Sequence, residues 1–177
     1  MSKVSCPDKV MLFCSMIYHE TAPRGHAISR LKERFGQILL ETEAMPFNYT
    51  NYYCREMGSP LYRIILAFSD LVERDSLPEK KIETNNIENR FLEQGNRRIN
   101  IDPGLITLEN LCLATTKPYT HRVYLRNGIW GEITLIFRGD SYQKLEWTYP
   151  DYGSTELIEI FNRLRETYRR HLKCHQA

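Results

Sequence analysis

Residues 10–18 of the chain read VMLFCSMIY, a run that is apolar at both even and odd positions. A strand with one solvated face alternates apolar and polar side chains, whereas a strand covered on both faces does not. The run is too short to span a bilayer, which takes about 20 helical residues. We therefore predict that these residues form a central strand, buried on both faces.

The segments after this strand switch between helical and extended patterns. In chain order they predict a helix from Pro23 to Gly36, strands at 38–44 and 61–68, a helix at about 78–94 begun by a Ser76–Glu79 capping box, and a strand at 97–102 ended by an Asp102-Pro103-Gly104 turn. This β-α-β-β-α-β order is the split βαβ pattern of ferredoxin-like folds.

The second half of the chain predicts further strands and one long helix. Extended patterns cover 111–116, 121–137 and 143–149, the last with Leu145, Trp147 and Tyr149 inward. A helix begun by Ser154 or Thr155 then carries one apolar stripe, formed by Leu157, Phe161, Leu164, Tyr168 and Leu172. We predict an α+β fold for residues 1–177 as a single domain: a ferredoxin-like βαββαβ first half extended by antiparallel strands, with helices covering the sheet, the C-terminal helix among them.

Residues 121–137, HRVYLRNGIWGEITLIF, read as a β-hairpin with two possible registers. A two-residue Asn127-Gly128 turn pairs Leu125 with Trp130, whereas a three-residue loop with Gly128 left-handed pairs Leu125 with Ile129. The second register is favoured because it turns all the apolar residues one way. These apolar residues are Val123, Leu125, Ile129, Ile133, Leu135 and Phe137.

The other face of this hairpin is polar and aromatic, and we predict that it is a working surface. It sets Arg122 opposite Glu132 and Tyr124 opposite Trp130. Arg122 and Glu132 can form an ordinary salt bridge, and the two aromatic rings can stack on a planar ligand or pack under a helix. His121 falls on the apolar side at the rim of the sheet, near Lys117, where it can serve as an acid–base group or a structural residue.

A second polar set lies on the predicted strand at 97–102, where Arg98, Asn100 and Asp102 share one face. Arg98 can grip a carboxylate or phosphate, and Asp102 can hold a hydroxyl or a metal. The alternative for Asp102 is a hydrogen bond to its own turn. The tyrosine-rich segment at 46–60 can stack on bases or sugars, or simply pin a long loop to the domain.

Composition excludes several classes of protein. The 177 residues are 42% hydrophobic with a net charge of +2, so no strong field indicates nucleic acid as a partner. The odd, scattered set of five cysteines predicts reduced thiols in the cytoplasm rather than disulfides or a zinc ribbon. We expect no membrane partner, and the pattern identifies neither a cofactor nor an oligomeric state.

The common catalytic and nucleotide-binding motifs are absent. The chain has no GxxxxGK[ST], GxGxxG, HExxH or GxSxG, and no guanine-reading NKxD. His171 and His175 have ligand spacing on a helix with Cys174 between them, but a solvated helix end is the simpler interpretation. We therefore expect no metal site.

Several strings together resemble a bacterial family known only as a domain of unknown function, whose members are often labelled GTP-binding protein. They are YTNYYCREMG (49–58), RRINIDPG (97–104), TTKPYTHRVYL (115–125), GIWGEITL (128–135) and WTYPDY (147–152). The resemblance implies a cytoplasmic protein and offers no established activity. It also implies that the polar residues within these strings belong to the family's signature: Glu56, Arg98, Asn100, Asp102, Lys117, His121, Arg122, Glu132 and Asp151.

Two functional hypotheses follow. In the first, the chain binds or acts on a small anionic ligand such as a nucleotide or phosphorylated metabolite. Arg98, Lys117 and Arg122 would neutralise the anion, His121 would be the acid–base group, and Asp102 and Glu132 would orient a hydroxyl or divalent ion. In the second, the chain is a non-enzymatic interaction or self-association domain that uses its tyrosine-rich loop or its Tyr124/Trp130 face.

Overall fold

A computed structural model describes residues 3–176, with side chains through Cys174, and within that range the chain forms nine strands and four helices. In chain order they are β1 (Val10–His19), α1 (Arg24–Phe35), β2 (Ile38–Glu41), β3 (Met45–Pro46), α2 (Cys54–Met57), β4 (Leu61–Val72), α3 (Leu77–Asn89), β5 (Ile99–Ile106), β6 (Asn110–Thr115), β7 (Val123–Arg126), β8 (Ile129–Arg138), β9 (Ser141–Lys144) and α4 (Thr155–Gln176). No helix in this range is long and apolar enough to cross a membrane.

The strands form one antiparallel sheet in the order β2-β4-β1-β5-β6-β8-β7, with β3 paired to β4 and β9 to β8. The first four positions reproduce the split βαβ order, and β6 to β9 extend the sheet beyond β5. The predicted fold class is therefore confirmed. β1 lies between β4 and β5, and its residues from Val10 to Tyr18 are buried, as its apolar run predicted.

Helices cover both faces of the sheet. On β1, Phe13 pairs with Ala67 of β4 and meets Phe161 of α4, with ring centroids 5.1 Å apart. Neighbouring residues of a strand point to opposite faces, so Phe68 lies on the other side. There it meets Phe35 of α1 at 5.5 Å, and α1 packs beside α3. The helices α1 and α3 thus lie on one face and α4 on the other.

β5 and β6 pair over only part of their length. Gly104–Ile106 face Leu111–Leu113, and towards its start β5 has no partner on the β6 side. Two side chains of α3 bind the free backbone there. Glu88 Oε1 accepts the N–H of Ile101 at 2.6 Å, and Lys81 Nζ donates to its C=O at 3.0 Å. These α3 side chains take the place of a neighbouring strand, and the sheet opens between β5 and β6.

This opening explains why the predicted Asp102-Pro103-Gly104 turn is wrong. All three residues lie inside β5, where Pro103 pairs with Cys14 of β1. Alternate residues of a strand direct their backbone groups to the same side. The nitrogens of Ile101 and Pro103 therefore both point away from β1, and the proline nitrogen carries no hydrogen. Pro103 lies where β5 leaves β6, and the strand therefore loses no ladder bond there.

The tip of the β7–β8 hairpin also differs from its prediction. Tyr124 pairs with Trp130 as predicted, but Arg126 pairs with Ile129, so the predicted three-residue loop and its Leu125–Ile129 pair are wrong. The connection is Asn127-Gly128, with φ angles of 55° and 76°. A register shift between Tyr124 and Arg126 absorbs the extra residue. Because of this bulge, the two-residue turn is compatible with the predicted pairing of Tyr124 and Trp130.

The predicted apolar face of this hairpin is wrong at three positions. β7 lies at the edge of the sheet, so Val123 and Leu125 are exposed. In β8 a second bulge lies opposite Leu111 and Cys112, which pair with Leu135 and Ile133. It reverses the alternation, leaving Ile133 exposed and Glu132 buried.

The remaining differences concern the ends of elements. β9 ends at Lys144, and Trp147 and Tyr149 are partly exposed, so the predicted strand over 143–149 with these side chains inward is wrong. Ser76 makes no capping bond, because its hydroxyl donates to the Glu73 carbonyl instead. By contrast, the Ser154 hydroxyl accepts the Leu157 N–H at 3.3 Å and begins α4 as predicted. The predicted α4 stripe packs on the core.

Candidate functional site

A cavity of about 760 Å³ lies where β5 and β6 separate. Its wall comes from the loop around residues 47–53, from β4, α3, β5, β6 and β8, and from the segments 115–117 and 149–152. The volume falls within the range of small-molecule sites, about 300–1,000 Å³. Charged side chains from distant parts of the chain meet here.

The floor of the cavity carries an ion pair between α3 and β5, in which the lysine is buried and the aspartate is partly exposed. Lys81 Nζ lies 2.9 Å from Asp102 Oδ1, and the Asn100 amide donates to Asp102 Oδ2 at 2.7 Å. Burial alone would raise the pKa of Asp102, but Lys81 and Asn100 outweigh it and hold that pKa below its ordinary value. Burial would lower the pKa of Lys81, and Asp102 with Glu88 outweighs it in turn. Both groups therefore stay charged at neutral pH.

Glu88 lies about two helical turns beyond Lys81 on the same face of α3, and it is also buried. Besides accepting the Ile101 N–H, it places Oε2 3.9 Å from Arg97 Nη1. Burial raises the pKa of Glu88 from its ordinary 4.5 to about 7, against the opposing effect of Lys81. A carboxyl with such a pKa exchanges its proton near neutral pH, which suits an acid–base group.

Arg97, just before β5, joins α2 to the cavity wall. Its Nε and Nη2 grip both oxygens of Glu56 in a fork, at 2.9 and 2.7 Å, and Nη1 donates to Asn100 Oδ1 at 2.7 Å. The same fork lowers the pKa of Glu56. This planar, bidentate pair fixes α2, and with it the end of the tyrosine-rich loop, against β5.

Arg63 of β4 forms an ion pair with Asp151, and both side chains are buried. Its guanidinium lies between two rings, 4.7 Å from the centroid of Phe47 and 5.0 Å from that of Tyr152. Cations stack favourably on aromatic faces, and Arg63 holds the 47–53 loop and the 149–152 segment together across the cavity.

Glu132 of β8 accepts bonds from three side chains. Arg122 Nε lies 2.7 Å and His121 Nε2 3.3 Å from Glu132 Oε2, and the Thr134 hydroxyl donates to Oε1 at 3.3 Å. The His121 ring stacks on Trp147, with centroids 5.1 Å apart. His121 therefore lies on the side of Glu132. Its predicted position on the apolar side is wrong because β7 begins only at Val123, so the alternation of the strand does not extend to His121.

Lys117 lies at the cavity wall beyond the end of β6. Its Nζ donates to the Tyr52 hydroxyl at 2.6 Å and lies 4.4 Å from the centroid of that ring, and this hydrogen bond lowers the pKa of Tyr52. Arg122 Nη1 donates to the Lys117 carbonyl at 2.9 Å. Among the described cations of the cavity wall, Lys117 is the one that forms no ion pair with a carboxylate.

The chain matches the model of a known protein family. The model of a domain of unknown function, DUF4416, matches residues 8–168. The chain belongs to the DUF4416 family. The matched range contains all nine strands and every residue of the cavity wall of this DUF4416 domain. Neither a search of curated proteins nor one of solved structures finds a match to the chain.

The structure separates the predicted site residues of the DUF4416 domain into three groups. Asp102, Lys117 and Glu132 line the cavity. His121 and Arg122 contact Glu132 from outside the wall. Arg98 lies elsewhere, bound to the Thr21 hydroxyl and the Glu93 carboxylate, because β5 begins only at the following residue.

Sequence reasoning missed the contribution of α3 to this cavity. Leu77, Lys81, Thr84 and Glu88 follow one another at intervals of four, three and four, and all four are buried. A helical stripe with this spacing faces the core. Two opposite charges within such a stripe are the signal that identifies a buried polar site, and it was available in the sequence.

The described residues contain no group of three or more His, Cys, Asp or Glu side chains placed to hold a metal ion. The predicted spacing of His171 and His175 falls partly outside the described residues, since the His175 side chain is not among them.

Proposed function

We propose that this DUF4416 domain binds a small anionic molecule, of the class of nucleotides or phosphorylated metabolites, in the cavity between β5 and β6. The observation that supports it is Lys117. Arg63, Lys81 and Arg97 are each held by a carboxylate, whereas the Lys117 ammonium bonds to a tyrosine hydroxyl. An incoming anion can replace that hydroxyl without breaking an ion pair.

The other wall residues take roles that follow from their partners. Asp102 is partly exposed, and its carboxylate can accept a ligand hydroxyl. The Glu132 carboxylate is buried, and it orients His121 and Arg122. Arg122 has three nitrogens engaged, by Glu132, by the Lys117 carbonyl and by the Tyr149 hydroxyl at 2.8 Å. It acts as a positioning residue for Lys117 and Tyr149 rather than as an anion ligand. The five free thiols suit a cytoplasmic location.

A thermal-shift panel of nucleoside monophosphates and sugar phosphates tests the proposal. We expect a rise in melting temperature with at least one probe, and its loss in Lys117→Gln. Lys32→Gln, which removes an exposed lysine from α1, is the matched control and should keep the shift. The proposal is overturned if no probe moves the transition, or if both variants respond like the wild type.

A second candidate function is self-association through β7. This edge strand leaves Val123 69% and Tyr124 54% exposed, and an unpaired apolar edge is a template for pairing with a second copy. The small net charge of +2 opposes association only weakly. Light scattering over a concentration series should show a dimer that Val123→Lys disrupts. A monomer at every concentration would contradict this candidate.

A further inference from the structure

We infer that the cavity takes a ligand with a planar ring and at most two negative charges, and that it rejects nucleoside triphosphates. This inference rests on the proposed function and narrows it to a ligand class. It stands on two features of the wall, its balance of charge and its exposed tyrosine rings.

The wall carries as many acids as cations. The four cations are Arg63, Lys81, Arg97 and Lys117. The four acids are Glu88, Asp102, Glu132 and Asp151. Immediately outside the wall, Arg122 and Glu56 bond to the wall residues Glu132 and Arg97 and add one charge of each sign. The formal charge of the site is therefore close to zero.

The arrangement of these charges limits the ligand further. Asp151, Asp102 and Glu56 each hold one cation in place, so those cations are already neutralised. A triphosphate chain would bring about four negative charges against several fixed carboxylates, with Lys117 alone unpaired. Like charges at short range in a low-dielectric cavity repel strongly.

The ring requirement comes from the cavity mouth. Tyr52 and Tyr149 are 56% and 45% exposed, and both border the cavity. Tyr149 is anchored by the bond from Arg122 to its hydroxyl, and it keeps that bond when an anion replaces the Tyr52 hydroxyl on Lys117. Anchored rings lose little further freedom when a planar group stacks on them. Asn85 of α3 also lines the cavity, and its amide can donate and accept bonds at a ring edge.

Isothermal titration calorimetry in a buffer with EDTA tests the charge limit and the ring requirement separately. EDTA removes divalent ions, so the phosphate chains keep their full charge. The probes are AMP, ADP, ATP, GMP, GTP, ribose 5-phosphate and inorganic phosphate. We expect a nucleoside monophosphate to bind at least about tenfold more tightly than its triphosphate, and about tenfold more tightly than ribose 5-phosphate. Tyr149→Leu should weaken monophosphate binding and leave ribose 5-phosphate unchanged. Tyr124→Leu, which changes an exposed tyrosine of the β7 edge, should alter neither.

The outcomes distinguish this inference from the proposed function. A triphosphate that binds as tightly as its monophosphate overturns the charge limit and leaves anion binding intact. Equal affinity for ribose 5-phosphate and a nucleotide overturns the ring requirement alone. Absence of binding by every probe overturns both the inference and the proposed function.

Discussion

Glu88 of α3 accepts the backbone N–H of Ile101 in β5, with 2.6 Å between Oε1 and the nitrogen. In a continuous sheet, a carbonyl of β6 would fill this position. The side chain of Glu88 thus closes the edge of β5 and forms part of the cavity wall at the same time. Substitutions around this contact should therefore change both stability and the shape of the site.

The first prediction concerns the pH dependence of stability. The folded chain holds the Glu88 proton up to about pH 7, whereas a free glutamate releases it near pH 4.5. The folded state binds more protons between these values, so the free energy of unfolding should fall by about 2 kcal/mol as pH rises from about 5 to about 8. Glu88→Gln keeps an acceptor for the Ile101 N–H and should flatten this slope in urea titrations.

Glu79→Gln is the control for the Glu88 measurement. Glu79 lies on the same helix, and its hydrogen bond with Arg126 lowers its pKa, so it stays ionised across the whole range. Its removal should leave the slope as in the wild type. If Glu88→Gln also keeps that slope, the Glu88 carboxyl does not titrate in this range.

The second prediction compares two arginines of the β7–β8 hairpin. Arg122→Met should lower the free energy of unfolding by about 3 kcal/mol, because it leaves the buried Glu132 carboxylate without its main partner. Adding Glu132→Gln should restore more than half of that loss, measured by urea denaturation as a double-mutant cycle. Arg126→Met removes an exposed pair with Glu79 and should leave the midpoint unchanged. Equal effects of the two arginine variants would contradict the prediction.

The third prediction tests the close contact of β5 with its neighbours. A Cβ on Gly104 would lie 2.4 Å from Phe13 Cε1 and 2.6 Å from the Cys112 carbonyl oxygen. Gly104→Ala should therefore destabilise the protein by about 2 kcal/mol, since neither neighbour has room to move. Gly25→Ala, in the first turn of α1, meets no atom within 4 Å and should stabilise by about 0.5 kcal/mol through helix propensity. Melting temperatures that shift in the same direction would contradict this interpretation.

The fold was predictable because its strands and helices differ in local period. The run from Val10 to Tyr18 is apolar at both parities and occupies the centre of the sheet. The stripe from Leu157 to Leu172 identifies α4 in the same way. Each pattern depends only on residues close together in the sequence, so it can be read without knowing how distant segments pack.

The residues of the candidate site were predictable only in part. Asp102 and Glu132 stood out as polar residues on strands, and both line the cavity. The orientation of His121, Val123, Leu125 and Ile133 was predicted wrongly, because strict alternation carries no information about bulges or about which strand lies at the edge. Lys81 and Glu88 were missed because charged residues on a helix are ordinarily solvated.

Local sequence patterns were enough to identify the long elements β1, β4, α1, α3 and α4, their order, and the stripe of α4 that meets the core. Local patterns could not show that β5 separates from β6 on the N-terminal side of Gly104, or that Lys81 and Glu88 bond to Ile101 in the gap. The difference lies in the distance along the chain over which each feature is set. Periodicity reports which face of an element a side chain occupies, whereas a cavity depends on what two distant segments place between them.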